Sequence, residues 1–352
     1  MNSIDAWGYR LMEPNAPLAR ETFTIDSVAD DDVVVKVAGC GLCHTDISFY
    51  SGQVRPKQMP VILGHEISGT VVAAGANHAA LDGKEVIIPA VLPCGDCDLC
   101  HSGRGNVCRA QKFPGNDFDG GFASHVTVPG RFLCELPDSL GGLELADLSV
   151  IADAVTTPYQ AAERAKLGEG DLAIVVGVGG IGIYMVQHAA SRGARVIALD
   201  VDASKLEKAT AMGAHYTLDT TGMAEGDVKK AVRGMAKENG LPKYGWKVFE
   251  TSGTAPGQAA AFALLSFAGT LAVVGFTMDT VTVRLSNAMA FDAEIFGNWA
   301  CKPEYYPAVA EACISGSINL KDNVEQHPLE TINEIIPRVM NHEIQRRVVF
   351  TP

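Results

Sequence analysis

Cys94, Cys97, Cys100 and Cys108 stand in the spacing C-x2-C-x2-C-x7-C, and short C-x2-C steps let thiolates converge on one tetrahedral ion without stretching the backbone. The residues between them include Gly95, Asp96, Ser102, Gly103 and Gly105, the turn formers that a small lobe folded round an ion requires. Four thiolates leave no open position, so a zinc ion held there is structural. An iron–sulfur cluster or four idle thiols are the alternatives. A second set suggests different chemistry. Cys43 lies in Ala38-Gly-Cys-Gly-Leu-Cys43-His44-Thr45-Asp46, after the apolar strand-like run Val33–Val37, and Gly64-His65-Glu66 opens a later β stretch at 67–75. A thiolate, an imidazole and a carboxylate, with one position left for water or substrate, are the donors of a catalytic zinc site. Cys40, Cys134, Cys301 and Cys313 read as ordinary buried thiols.

A third motif follows Asp171. The run Leu172–Val176 leads into Gly177-Val-Gly179-Gly180-Ile181-Gly182 and then a helical pattern over 183–192. This is strand, G-x-G-x-x-G, helix. The first glycine makes the tight turn, the second lets a pyrophosphate approach the backbone, and the third allows close helix–strand packing. The phosphates then sit on the helix N-terminus, whose free N–H groups and dipole favour anions. Asp200 ends the next strand, 194–199, where it can accept from both ribose hydroxyls and repel a 2′-phosphate, so NAD is expected rather than NADP.

These residues need elements to position them. After Asp200 the pattern alternates: a helix at 203–212 capped by Gly213, a helix at 227–239, a strand at 246–250, a helix at 258–266 and a strand at 270–275. That rhythm predicts an α/β Rossmann domain with a doubly wound parallel sheet. The first 150 residues or so instead show short strands with many glycines and prolines, which predicts an all-β, partly open barrel.

Composition excludes other classes. Of 352 residues, 47% are hydrophobic and 20% charged, enough for packed cores. The formal net charge of −13 argues against a general nucleic-acid binder. The uncharged stretches 172–191 and 252–278 are broken by glycines, and the second by Pro256, so neither suits a membrane span. Met1–Leu11 lacks a basic and apolar leader. A cytoplasmic protein with reduced thiols is expected, which disfavours a disulfide framework for the nine cysteines.

Taken in order, the Cys43 segment, Gly64-His65-Glu66, the four-cysteine lobe and the downstream glycine turn resemble the zinc-dependent medium-chain alcohol dehydrogenases over essentially the whole chain. The resemblance implies a GroES-like β-barrel catalytic domain with its zinc lobe over 1–155, an NAD-binding Rossmann domain over 156–298 and a return to the catalytic domain over 299–352. It implies two zinc ions per chain. The fourth catalytic-zinc position falls on Asp153, with a helix N-cap as the alternative for that residue. The site would be Cys43, His65 and Asp153, with Glu66 as an exchanging or neighbouring carboxylate. Thr45 matches the residue that takes the proton from the alcohol, and Ser48 stands where a relay histidine is common. Against the cofactor the resemblance places His44, Thr157, Lys205, Val274, Phe276, Phe296 and Arg347. It further implies a homodimer or homotetramer, often joined through the cofactor domain.

Within that family, several segments are similar to the NAD-dependent 6-hydroxycyclohex-1-ene-1-carbonyl-CoA dehydrogenases of anaerobic benzoyl-CoA breakdown. They are residues 107–125, 152–161 and 286–291, with Gly297-Asn-Trp299 and the ending 346–352. This resemblance implies oxidation of a ring hydroxyl beside an enoyl thioester. The product of that reaction is an α,β-unsaturated carbonyl compound, and a zinc site with mobile water could add that water to its double bond as a side activity. A CoA ester brings phosphate charge, which a protein of this net charge must meet with local cations. Arg55 and Lys57 lie in one stretch without acids, and Arg104, Arg109 and Lys112 in another. Both are candidate CoA contacts, with solvated loop charges as the alternative. The competing functions are a general zinc alcohol or polyol dehydrogenase and a non-catalytic NAD-binding protein.

Overall fold

A computed structural model describes residues 3–352. In chain order the first elements are β1 (Ile4–Leu11), β2 (Ala19–Ile25), β3 (Asp32–Gly41), α1 (His44–Tyr50), β4 (Val61–Ile62), β5 (Glu66–Ala74) and β6 (Glu85–Ile88). The one-turn helix α2 (Asp98–His101), β7 (His125–Pro129) and β8 (Cys134–Glu135) come next. Then follow α3 (Thr156–Arg164), β9 (Leu172–Val176), α4 (Gly182–Ser191), β10 (Arg195–Asp200), α5 (Ala203–Ala211) and β11 (Tyr216–Asp219). After them come α6 (Glu225–Glu238), β12 (Lys247–Glu250), α7 (Ala255–Ala263), β13 (Thr270–Val273), α8 (Ser286–Ala290) and β14 (Glu294–Gly297). The tail adds α9 (Tyr306–Ile314), β15 (Val324–Pro328), α10 (Ile332–Met340) and β16 (Arg347–Thr351).

Residues up to Thr156 and Ala300–Pro352 form one compact unit, and Thr157–Trp299 form the other. In the first, a seven-stranded sheet runs β15-β16-β3-β5-β6-β8, with β7 also on β3, and a three-stranded sheet runs β2-β1-β4. β3 is the hub. It is antiparallel to β5 on one side, while its other side pairs with β7 at Asp32–Lys36 and with β16 at Cys40–Gly41. The strand is longer than the apolar run 33–37 predicts, because Gly39 and Gly41 continue the ladder to Ser68 and Glu66. Val33, Val35, Ile62, Ile67, Phe122 and Phe350 pack inside the barrel, and burying each contributes about 1.5–3 kcal/mol.

The second unit has a six-stranded parallel sheet in the order β11-β10-β9-β12-β13-β14. β9 is buried at every position, the pattern of a central parallel strand covered by helices on both faces. In α6 the buried residues Val228, Val232 and Ala236 recur every fourth position, giving one stripe that packs on the sheet. The predicted alternation lacked β11 and β14, so the sheet is wider than the sequence reading had it. No helix of the described residues is long and apolar enough to cross a membrane.

Candidate metal and cofactor sites

Cys43 is the N-cap of α1, and Asp46, at the third helical position, closes a capping box by accepting from Cys43 N at 2.9 Å. The other Asp46 oxygen accepts from Gly64 N at 3.1 Å and lies 3.2 Å from His65 Nδ1. One buried carboxylate therefore fixes both the helix that carries Cys43 and the ring of His65. Gly64 has φ +98°, and a Cβ there would lie 2.6 Å from Cys40 Sγ, so only glycine allows His65 to enter in this way. Glu66 begins β5 opposite Gly41, whose missing side chain makes room for the Glu66 carboxylate. Asp153 comes from the end of a 3-10 turn at Leu145–Ala152.

One donor atom each from Cys43, His65, Glu66 and Asp153 lies within 4.8 Å of the others. Asp153 Oδ2 is 3.7 Å from Cys43 Sγ and 3.6 Å from His65 Nε2. His65 Nε2 is buried and has no hydrogen-bond partner, which a native core rarely tolerates. With Nδ1 fixed on a carboxylate, Nε2 aims at the thiol and carboxylate as a metal-ligating imidazole does. Burial alone would lower the His65 pKa, but Asp46, Cys43 and Asp153 outweigh it and hold the group well above its usual range. Such a surplus of anionic groups fits a divalent cation. Arg347 balances part of it, with Nε 2.7 Å and Nη2 2.6 Å from the two Glu66 oxygens. Glu66 Oε1 also accepts from Ala154 N at 3.0 Å. Thr45 Oγ1 lies 3.9 Å from Cys43 Sγ, Ser48 is buried on the same helix, and His44 is exposed.

In the lobe, the Sγ atoms of Cys97 and Cys100 are 3.5 Å apart, those of Cys97 and Cys108 3.6 Å, and those of Cys94 and Cys108 3.5 Å. The Asp96 backbone N–H leads the interactions that draw the Cys94 thiol down to about 7. The four atoms form a second metal-competent group. Cys40, Cys134, Cys301 and Cys313 are buried.

The glycine turn joins β9 to α4. Gly177 has φ +85°, and a Cβ on Gly182 would overlap the Gly177 carbonyl, while a Cβ on Gly179 would meet nothing within 4 Å. The outer side of Gly179 is thus the open cradle that a pyrophosphate would fill, beside Gly180 and Ile181 at the start of α4. Asp200 Oδ2 accepts from Val178 N at 2.8 Å, and Oδ1 from Val201 N at 2.8 Å and Asp202 N at 3.1 Å. Lys205 follows on α5. Thr157 is buried, and its carbonyl accepts from Asn298 at 3.1 Å. Val274 and Gly275 donate to the Glu250 carbonyl, Phe276 is exposed, and the Arg164 guanidinium lies 4.2 Å over the Phe296 ring.

The sequence reading missed two residues. Asp46 was legible as an acid three positions after the N-cap. Glu250 ends β12 and accepts from Ser252 N and Gly253 N at 2.8 and 3.1 Å, fixing the loop after the strand; its signal is a carboxylate closing an apolar strand before Thr-Ser-Gly.

Arg55, Lys57, Arg104, Arg109 and Lys112 are all exposed. Asn116 ties the two basic stretches together, its side chain accepting from Lys57 N and its carbonyl from Gln58 N. Lys57 is neutralised by Asp117 at 2.8 Å, an acid just beyond the stretch.

A barrel with two metal-competent groups and a parallel sheet with a dinucleotide turn define a zinc-type dehydrogenase. Residues 29–138 match the alcohol dehydrogenase GroES-like domain, and residues 180–315 match the zinc-binding dehydrogenase domain. The D-arabitol-phosphate dehydrogenase of Enterococcus avium is 30% identical over 336 residues, covering 94% of this chain and 93% of that protein. An alcohol dehydrogenase of Geobacillus stearothermophilus is 29% identical over 343 residues, covering 95% and 96%. The solved alcohol dehydrogenase of Aeropyrum pernix superposes with a TM-score of 0.87 at 27% identity, covering 98% of this chain and all of that one. The chain belongs to the zinc-type medium-chain alcohol dehydrogenase family and is an oxidoreductase acting on alcohols or polyols. The expected fold, GroES-like barrel with a Rossmann domain, is the one observed.

Proposed function

We propose that the chain catalyses NAD-dependent oxidation of a ring secondary alcohol carried on a CoA thioester, 6-hydroxycyclohex-1-ene-1-carbonyl-CoA, to its 6-oxo product. The convergence of Cys43, His65, Glu66 and Asp153 around an unpartnered His65 nitrogen carries the reaction type. Zinc bound there supplies Lewis-acid polarisation of the substrate oxygen, and bound NAD supplies the hydride acceptor. Asp46 orients His65, Arg347 offsets the charge of Glu66, and Thr45 relays the substrate hydroxyl proton, taking it up as it gives its own hydroxyl proton to solvent. Asp200, anchored by backbone N–H groups, disfavours a 2′-phosphate. The lobe cysteines hold the second zinc ion.

For the substrate, the support is the resemblance of residues 107–125 and 152–161 together with the joining of the two basic stretches by Asn116. Arg55, Arg104, Arg109 and Lys112 are the cations assigned to the CoA phosphates. A phosphorylated polyol is the second reading, favoured by the D-arabitol-phosphate dehydrogenase relative. The experiment is NADH formation with the CoA thioester against a pentitol phosphate, cyclohexanol and an NADP control. Turnover confined to the thioester and NAD supports the first reading, and turnover of the pentitol phosphate the second. Reversing Arg109 and Lys112 to glutamate should raise KM for the thioester roughly tenfold, about 1.4 kcal/mol, and leave KM for a small cyclic alcohol unchanged. Equal shifts would remove the CoA contact. Incorporation of labelled water into the oxo product tests the side activity. Self-association through the Thr157–Trp299 unit completes the proposal.

A further inference from the structure

Cys43 and His65 are fixed through Asp46, but Asp153 stands at a corner between a 3-10 turn and α3. Its carboxylate is aimed by how the backbone on either side is pinned. On the C-terminal side, Ala154 N donates to Glu66, and the Asp153 carbonyl accepts from Thr156 Oγ1 at 3.4 Å. On the N-terminal side, the Ala152 carbonyl accepts from the Tyr306 hydroxyl at 2.5 Å and from Ala90 N at 3.3 Å. Ala90 N also lies 3.3 Å from the Tyr306 oxygen. The hydroxyl therefore bridges the segment after β6 and the corner that carries Asp153. Tyr306 sits on α9, 154 positions from Ala152, and is wholly buried. A phenylalanine could fill the same space, so what the tyrosine adds is the oxygen.

We infer that Tyr306 is a positioning residue for the metal site: by holding the Ala152 carbonyl, its hydroxyl sets the Asp153 carboxylate against Cys43 and His65. The inference rests on the reading of Cys43, His65 and Asp153 as metal ligands. Removing an outer partner of a metal ligand costs about 10–100-fold in affinity, so Tyr306→Phe should weaken metal binding at this site by that factor while the four-cysteine lobe keeps its ion.

The test uses the full chain loaded with zinc or cobalt(II). Metal affinity is measured by chelator competition, and the cobalt ligand-field spectrum reports the site's geometry. Wild type should hold two ions per chain, and Tyr306→Phe should lose one at lower chelator concentration with a shifted spectrum. In an Asp153→Ala background, Tyr306→Phe should cause no further loss. A Tyr306→Phe protein with wild-type affinity and spectrum overturns the inference and leaves the ligand reading standing. The same 10–100-fold loss in the Asp153→Ala background also overturns it, because the effect is then general loosening of the barrel. A wild-type chain that binds only the lobe ion overturns the ligand reading and the inference together.

Discussion

Asp200 cannot swing away from the glycine turn, because three backbone N–H groups bind its carboxylate. In the NAD reading proposed above, a 2′-phosphate on a ribose bound there would meet a fixed like charge. Asp200→Ser should lower kcat/KM for NAD roughly 10–100-fold, since a hydrogen bond to a charged group is worth about 1.5–3 kcal/mol. It should also narrow the ratio of NAD to NADP turnover; an unchanged ratio would remove Asp200 as the discriminating group. His125 offers a pH prediction. Burial and then Lys36 push it below the usual 6.5, and Ser124 Oγ lies 3.1 Å from its Nδ1. The unfolded chain takes up that proton before the folded one does. Stability from keeping the ring neutral is therefore complete above pH 6.5 and is lost as pH falls below it. Thermal melts of wild type and His125→Gln should converge as pH falls through this window, and a constant gap would count against the assignment. Local spacing made the cysteine quartet and the glycine turn readable in the sequence, whereas Asp46 went unread although it stands three positions after the N-cap. Tyr306 and Arg347 were not readable in these roles, because no spacing rule links Arg347 to Glu66 across 281 positions.

Among elements, the strong periodicities were readable and the edges were not. β9, with all five positions buried, and α6, with its fourfold stripe, announce themselves. β11 and β14 have four residues each, none of them fully buried. They are strands because β10 and β13 present free ladder edges to them, a tertiary cause that a short window does not contain. The lobe is the opposite case: its sequence is informative because little else folds it. α2 has four residues, too few for a stable turn of helix without outside support, and Cys94, Cys97 and Cys100 are only partly buried. In the proposed reading, a metal ion on the four thiolates adds to the support that Arg131 gives by donating to the Cys94 carbonyl and Asp96. Cys97→Ser should reduce zinc by one ion per chain and raise the rate of proteolysis within 94–108 by about tenfold or more, with cleavage confined to that loop. Unaltered protease resistance would show that the lobe folds without its ion.

For the whole molecule, the surplus of negative charge favours solubility, yet one region carries a strong apolar character. Phe276, Met278, Leu285, Met289, Ile295 and Trp299 are all exposed, and Met289 is 76% accessible. Phe276 and Met278 lie in the loop after β13, and the others within or next to α8 and β14, which is the terminal strand of its sheet, paired on one side to β13. An open parallel edge flanked by exposed methionines and a tryptophan is a liability for a single chain. A second copy related by a two-fold axis would remove it, because an edge strand meeting its own symmetry mate would pair antiparallel and both apolar surfaces would be covered at once. Sedimentation velocity should therefore show a dimer or tetramer at micromolar concentration. Met289→Lys with Ile295→Lys should shift it toward the single chain, because two buried like charges are placed on each side of the two-fold. The residues of both candidate metal sites lie outside Thr157–Trp299, so the zinc content per chain should stay the same. A wild-type protein that sediments as one chain would leave this apolar edge without the partner assigned to it.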